Sequence, residues 1–326
     1  MLESLRGKKG LLVHHWDTDG ICSAALLLQR LGEGVVNKTP VLGNYFLTED
    51  ELRSYESGYD FIIVADMALP EENIRRLTSF AEVLIFDHHL QPLIPGVFHE
   101  NPISRGESPE QFPSASWIVN GFLGNPVNLY ALLGAVGDCE QRLEANKNFA
   151  NILLSFSMQH QVTFKEMLAM VYLLDSNYKV GDRRAVMEAP RFLLETTDPR
   201  GILNHHPWKK HLAELENEIT KWVEASGEVR KGVCVKRIST KYNVISTVTR
   251  RVFWSSKTDT IVVNTGFSKE TDQVYVRSSK NLQGLIQAGK DLGFKCGGKA
   301  EVLGAVVPKG KTEDFVNKVV EVLSLG

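Results

Sequence analysis

The chain of 326 residues contains only four cysteines, Cys22, Cys139, Cys234 and Cys296, and no two lie close enough to form a CxxC pair. That spacing excludes a zinc ribbon and a disulfide framework, and it points to a reducing compartment. No apolar stretch approaches the roughly 20 residues that cross a bilayer. Met1-Leu2-Glu3-Ser4-Leu5-Arg6 has no apolar signal-peptide core. A cytoplasmic protein with no membrane partner is expected. Internal repeats and low-complexity segments are also missing. Lys and Arg number 37 against 39 Asp and Glu, so the cationic excess needed to wrap long duplexes is lacking.

What is present is unevenly distributed. Residues 230–326 carry 17 Lys+Arg and 8 Asp+Glu, whereas the other 229 residues carry 20 and 31. An acidic portion suits divalent cations and a basic portion suits phosphates. Drift of surface charge between two domains would produce the same asymmetry. Hydrophobic residues make up 43% and charged residues 23%, which are globular values, and the length leaves room for two domains.

Strand and helix signals alternate over residues 1–140. A helix is predicted from Ile21 to Leu31, another from a Thr48–Glu51 capping box through Ser57, and a third from Pro70, in its first turn, to Phe80. Such alternation predicts a mainly parallel sheet covered by helices on both faces. Residues 141–226 read as helices with Phe156, Met158, Phe164, Met167, Val171, Tyr172 and Leu174 as core. Strand signals return at Val233–Ile238, Ile261–Asn264 and Val274–Val276. A helix with Leu282, Leu285 and Ile286 on one face follows, then Gly297-Gly298-Lys299, a strand near Leu303–Val307 and a closing helix from Thr312. The expected boundaries are 1–160, 161–228 for a helical connector, and 229–326 for a smaller α/β domain.

Four apolar runs, each read as a buried strand, end abruptly in polar groups. Leu11-Leu12-Val13 leads into His14-His15-Trp16-Asp17-Thr18-Asp19-Gly20, Phe61–Ala65 into Asp66, Val83–Phe86 into Asp87-His88-His89, and Leu132–Gly137 into Asp138. Ligands in parallel sheets bind beyond the carboxyl ends of the strands, so these endings converge. Crowded carboxylates would repel one another and partly protonate. Two divalent cations about 3.5–4 Å apart remove that cost and are the usual device for cleaving phosphate esters. Read as strand, Asp17 and Asp19 point the same way at period two and could serve neighbouring metals, with Asp66 bridging. Mixed His and carboxylate ligands suit Mn2+ first, then Mg2+, Co2+ or Zn2+.

Each motif alone is unspecific. A DxDG turn is commonly a helix cap, and a lone Asp after a strand is commonly an N-cap. His205-His206-Pro207-Trp208 follows no apolar strand and reads as a loop or helix start. The four endings in order within one domain are far more specific.

The order His15-x-Asp17-x-Asp19-Gly20, Asp66, Asp87-His88-His89, Gly137-Asp138 closely resembles the DHH phosphoesterase superfamily. The resemblance extends over essentially the whole chain to the C-terminal DHH-associated domain of nanoRNase and RecJ-type exonucleases. There Val276-Arg277-Ser278 and Cys296-Gly297-Gly298-Lys299-Ala300-Glu301-Val302-Leu303-Gly304 stand for an Arg on a strand and a degenerate GGGHxxAAG. The resemblance implies an N-terminal DHH catalytic domain and an active-site cleft between the two domains. His15, Asp17 and Asp66 would hold one metal, and Asp19, Asp66, His88 and Asp138 the other. His89 would meet the scissile phosphate, and Asp87 would orient an imidazole. Arg277, Gly297, Gly298 and Lys299 would bind substrate, with Lys299 in place of the usual His and Cys296 in place of the first Gly. His14 has no assigned role.

The resemblance implies a Mn2+-dependent phosphodiesterase releasing mononucleotides from single-stranded DNA or RNA or short oligonucleotides. Two alternatives stay open. One is a phosphatase or phosphodiesterase for 3′-phosphoadenosine phosphate or a cyclic dinucleotide; the other is a replication or repair scaffold that binds without cutting. A homodimer and a replication or repair partner are further expectations. Pyrophosphatase is disfavoured because the Arg-Lys motif of that branch is not found.

Overall fold

The computed structural model describes residues 1–56, 58–196, 198 and 200–325. They form two compact units, Met1–Tyr178 with Asp182–His211, and Lys179–Gly181 with Leu212–Gly326. Among the described residues no helix is long and apolar enough to cross a membrane.

The first unit contains strands β1 (Gly10–His14), β2 (Val35–Lys38), β3 (Phe61–Ala65), β4 (Glu82–Phe86) and β5 (Phe98–Glu100). They make an all-parallel sheet in the order β2-β1-β3-β4-β5. Every residue of β1 and β3 is buried, because helices cover both faces; that is why these strands read as continuous apolar runs rather than alternating ones. Leu12, Ile63 and Leu84 pack on one face with Leu27 and Val119. Leu11, Val13, Ile62, Val64 and Ile85 pack on the other with Leu52, Ile74 and Leu77. Each such side chain stabilises the fold by about 1.5–3 kcal/mol through burial.

Helices α1 (Thr18–Leu31), α2 (Glu49–Tyr55), α3 (Glu71–Thr78), α4 (Ala115–Phe122) and α5 (Leu129–Cys139) accompany this sheet. The Thr48–Glu51 capping box is present in full; Ser57, the expected end of that helix, lies outside the described residues. Pro70 is the N-cap of α3 rather than part of its first turn, and α3 stops at Thr78 instead of Phe80.

Two expectations fail in ways that matter for the site. The run Leu132–Gly137 is not a strand but the middle of α5. Asn128 caps that helix by accepting the Ala131 N–H at 3.1 Å. Residues Ala131–Val136 are all buried, since α5 packs against both α1 and α4. A helix buried all round has no polar stripe, so a short apolar run cannot be told from a strand. The other failure is in the Asp17-Thr18-Asp19 segment, which is not extended: α1 begins at Thr18, three residues earlier than predicted, with Asp17 as its N-cap.

Helices α6 (Arg142–Ala145), α7 (Ala150–His160), α8 (Phe164–Val180), α9 (Arg183–Glu195), α10 (Arg200–Leu203) and α11 (His206–Glu224) follow. His206 starts α11. Of the expected core residues here, Phe156, Met167, Val171 and Leu174 are buried, Phe164 and Tyr172 are half-buried, and Met158 is 75% exposed. Met158 falls on the solvent side of α7, which turns Leu153 and Phe156 inward.

The second unit holds β6 (Glu228–Arg230), β7 (Val233–Ile238), β8 (Thr260–Asn264), β9 (Thr271–Arg277), β10 (Lys295–Lys299) and β11 (Val302–Pro308), with α12 (Ile245–Ser256), α13 (Gln283–Asp291) and α14 (Thr312–Ser324). The sheet order is β10-β11-β9-β8-β7-β6, and only β7 and β8 are parallel. Alternation along β9 sends Val274 and Val276 into a core shared with Leu285, Ile286, Phe315 and Val319. On the opposite face Val262 and Tyr275 pack with Val248 and Val252 of α12.

Candidate metal centre

The first unit delivers its polar groups at the carboxyl ends of β1, β3 and β4. The ladder runs one residue beyond each strand: His15 N–H donates to the Ala65 carbonyl at 3.2 Å, Asp66 N–H to Phe86 at 2.8 Å, and Asp87 N–H to Glu100 at 3.2 Å. Asp66 then turns out of the sheet with φ near 60°, a conformation that Asp tolerates better than most residues. After His15 the chain doubles back into α1. Asp17 accepts the Gly20 N–H at 3.1 Å, and Gly20 must lack a side chain because a Cβ there would lie 2.4 Å from the His15 carbonyl oxygen.

These turns, with the end of α5, gather six side chains. His15 Nδ1 lies 2.7 Å from Asp17 Oδ2 and 3.5 Å from Asp66 Oδ2. His88 Nε2 lies 3.4 Å from Asp66 Oδ1, 3.2 Å from Asp138 Oδ2 and 4.0 Å from Asp19 Oδ2. The two oxygens of Asp66 therefore face two different histidines. One ligand atom from each of His15, Asp17 and Asp66 fits within 4.8 Å of the others, and the same holds for Asp19, His88 and Asp138, and for Asp66, His88 and His89.

The charge balance of this cluster calls for cations. Burial disfavours protonated imidazoles, yet Asp66, Asp138 and Asp19 overcome it and push His88 up to about 10. His15, also buried, is held well above its ordinary value by Asp17 and Asp66. Burial likewise opposes a charged Asp66, but hydrogen bonds with His15 and His88 hold its carboxyl far below the usual range. Asp19 is pushed up to about 7 by burial and by Asp66, and Asp138 is raised well above its ordinary value by burial and by Asp19. The imidazoles are thus driven toward their protonated forms, and Asp17, Asp19 and Asp138 toward neutral carboxyls, which is how crowded carboxylates short of positive charge respond. A mixed imidazole and carboxylate donor set fits divalent metals, Mn2+ among them.

No family model matches the sequence, and no curated protein does. Solved structures do match. A RecJ exonuclease bound to manganese superposes with a TM-score of 0.66 at 16% identity, covering 99% of this chain and 92% of that one. A longer RecJ with Mn2+ from Thermus thermophilus gives 0.71 at 17% identity over the whole of this chain, which spans 54% of its length. The DHH domain of a member of the s1p family of ribosomal proteins gives 0.69 at 14% identity, over 98% of this chain and 87% of that one. The pGpG-specific phosphodiesterase PggH of Vibrio cholerae gives 0.56 at 15% identity, over 98% and 99% of the two chains. The chain therefore shares the fold of these proteins, which is the fold that the DHH resemblance implies. Within it, His15, Asp17, Asp19, Asp66, His88 and Asp138 occupy one cluster.

The other candidate residues around the cluster divide clearly. Asp87 is fully buried and accepts from His89 Nδ1 at 2.8 Å, while half of the His89 side chain is exposed. Gln91 donates to the other Asp87 oxygen, and Asn101 holds the His89 carbonyl at 2.8 Å. His14 stays out of the cluster. Its Nδ1 lies 2.7 Å from the His15 carbonyl oxygen and its Nε2 is 3.3 Å from the Asn37 amide, and burial lowers its pKa to about 4. A neutral imidazole donating at Nδ1 and accepting at Nε2 satisfies both contacts.

Arg277, Gly297, Gly298 and Lys299 all lie in the second unit. The glycines are in β10, an edge strand of the sheet, and the turn is formed by Ala300 and Glu301, which follow Lys299. Lys299 and Arg277 both pair with Val302, from opposite sides.

Several supporting groups had no counterpart in the sequence reading. Asp19 accepts the N–H groups of Ala115 at 2.6 Å and Ser116 at 2.8 Å, in the first turn of α4, where the helix dipole favours a carboxylate. Gly134 of α5 leaves space for it: a Cβ there would meet Asp19 Oδ1 at 2.2 Å and Ser116 Oγ at 2.0 Å. Asp175 of α8 accepts from Thr18 N at 3.0 Å and Thr18 Oγ1 at 2.8 Å, fixing the start of α1. Ser114 before Trp117-Ile118-Val119 was a readable N-cap signal for α4; Asp175, mid-helix, carried none.

Proposed function

We propose that the protein is a Mn2+-dependent phosphodiesterase that hydrolyses single-stranded or short oligonucleotides to mononucleotides with two bound metal ions. The observation that carries this reading is the geometry of Asp66, whose two oxygens face His15 on one side and His88 on the other. His15, Asp17 and Asp66 would hold one ion, and Asp19, Asp66, His88 and Asp138 the second. The pair supplies Lewis acidity toward the phosphate and a nucleophile from water at neutral pH. The chain's own contribution is positioning. Ala115 and Ser116 N–H groups fix Asp19, and Asp175 fixes the start of α1. Asp87 holds His89 Nδ1–H, so Nε2 of the exposed ring is free to meet the substrate phosphate or protonate the leaving oxygen. Arg277, Gly297, Gly298 and Lys299 would bind the rest of the substrate.

A dinucleotide or small-nucleotide phosphodiesterase is the second reading, favoured by the match to PggH over nearly the full length of both chains. A non-cleaving scaffold has no need of six convergent ligands.

The test is a length ladder of labelled RNA and DNA, from two to about twenty nucleotides, with and without Mn2+. Mn2+-dependent release of mononucleotides across lengths is expected. Cleavage confined to dinucleotides selects the second reading. No cleavage at any length, or an Asp66→Asn variant as active as wild type, refutes phosphodiester hydrolysis at this site.

A further inference from the structure

His14 adjoins the metal cluster without entering it, and it is completely buried. It closes β1 after the apolar residues Leu11, Leu12 and Val13. Packing alone would favour another apolar residue there, because a buried imidazole costs free energy unless its nitrogens are hydrogen-bonded. Both nitrogens are bonded here. Nδ1 lies 2.7 Å from the His15 carbonyl oxygen, and Nε2 lies 3.3 Å from the Asn37 amide nitrogen. That same nitrogen donates to the Met187 carbonyl of α9 at 2.7 Å.

The direction of each bond is fixed. Carbonyl oxygens only accept, so Met187 takes one hydrogen of the Asn37 amide and His15 takes the hydrogen on Nδ1. The second amide hydrogen of Asn37 then meets a bare Nε2. The relay therefore runs from α9, through Asn37 of β2, to the end of β1.

Its last acceptor is the backbone of a metal-site residue. The His15 N–H still belongs to the sheet and donates to the Ala65 carbonyl at 3.2 Å. The His15 carbonyl does not, since the chain leaves the sheet there, and among the described residues no backbone N–H donates to it. His15 is buried, and a buried carbonyl needs a donor. The His14 ring supplies one from the adjacent residue. Gly20 encloses the same oxygen, where a Cβ would lie 2.4 Å away. Both peptide groups that aim the His15 side chain are thus held.

We propose that His14 is a positioning residue for the metal ion held by His15. Its Nδ1–H fixes the His15 carbonyl and so aims the His15 ring at Asp17 and Asp66, while Asn37 keeps the hydrogen on Nδ1. The proposal rests on the two-metal reading. It confines the effect to one ion, because Asp19 is anchored separately by the Ala115 and Ser116 N–H groups, and His88 and Asp138 follow other elements.

The test is calorimetric titration of the full-length chain with Mn2+. His14→Phe keeps a buried ring but no donor, and it should weaken one of two ions about 10–100-fold and spare the other. His14→Asn, whose amide nitrogen stands near the place of Nδ1, should restore most of that affinity. In a His15→Ala background, which lacks the ion concerned, adding His14→Phe should leave the remaining ion's affinity unchanged. A merely structural His14 would lower Tm without this selectivity. Asn37→Leu frees Nε2 and should weaken the same ion by a smaller factor; it decides the matter if His14→Phe does not fold, and unchanged binding then overturns the role. So does His14→Phe binding both ions like wild type, His14→Asn binding as weakly as His14→Phe, or a further loss in the His15→Ala background. A wild type that binds one ion contradicts the two-metal reading alone, and the comparison of His14→Phe with His14→Asn then applies to that ion.

Discussion

Replacing Gly134 by Ala tests how tightly α5 is fitted against the site. The added Cβ would lie 2.2 Å from Asp19 Oδ1 and 2.0 Å from Ser116 Oγ, well inside ordinary contact. Neither neighbour can yield cheaply. Asp19 is held by Ala115 and Ser116 N–H groups at 2.6 and 2.8 Å, and Ser116 Oγ donates to the Ala131 carbonyl at 3.2 Å. Overpacking costs about 1–3 kcal/mol, and each hydrogen bond to a charged group is worth about 1.5–3 kcal/mol. Since these terms are not fully additive, a loss on the order of 3 kcal/mol is expected. At about 2–4 °C per kcal/mol for a domain of this size, Tm should fall by roughly 6–12 °C in calorimetry on the metal-free protein. Mn2+ affinity should drop about 10–100-fold, as it does when the groups supporting ligands are disturbed. Gly121→Ala is the control, since a Cβ there meets nothing within 4 Å; in α4 it should stabilise by about 0.5–1 kcal/mol. A Gly134→Ala protein that melts within a degree of wild type and binds Mn2+ equally well would refute the reasoning.

Other outcomes follow from the same contacts. His88→Ala should lose turnover, and Asp87→Asn should lower kcat more than it raises KM, because it releases His89 without touching a metal ligand; equal kcat would contradict the orienting role. Arg277→Ala should mainly raise KM in the Mn2+ assay, and an unchanged KM would remove it from the binding face. In EDTA, Tm should fall as pH rises. The proton held by His88 stabilises fully below its ordinary 6.5 and is lost on the way to about 10, and that of Asp19 is lost between 3.8 and about 7. Mn2+ must displace these protons, so its affinity should climb over the same range, and a pH-independent affinity by calorimetry would argue against these side chains as ligands. Asp175→Ala should cost about 1–3 kcal/mol by leaving the Thr18 N–H without its acceptor and the hydroxyl with only the Val171 carbonyl at 3.3 Å, read as a lowered Tm with Thr18→Val showing part of the same loss.

Much of the site was legible because parallel strands buried on both faces write themselves as uninterrupted apolar runs, so His15, Asp66 and Asp87 marked their own positions at the strand ends. Asp138 was found for an incomplete reason. Its apolar approach is a helix buried on all sides, which has the same composition as a strand. Asp17 and Asp19 were paired by a strand periodicity that does not exist there; Asp17 caps α1, and Asp19 sits in its first turn. The support for Asp19 comes from residues about a hundred positions away in sequence, and that of Thr18 from Asp175, still farther off. No local pattern encodes such contacts, since packing of α1 against α4 and α5, and the hydrogen bonds from its start to α8, create them.

The central claim is that these six side chains form one binuclear centre bridged by Asp66. Mn2+ titration followed by electron paramagnetic resonance measures this directly. Two ions per chain with a spin-coupled spectrum are predicted for the wild type, and at most one uncoupled ion for Asp66→Asn. A single uncoupled ion in the wild type, or a coupled pair that survives Asp66→Asn, would contradict the account.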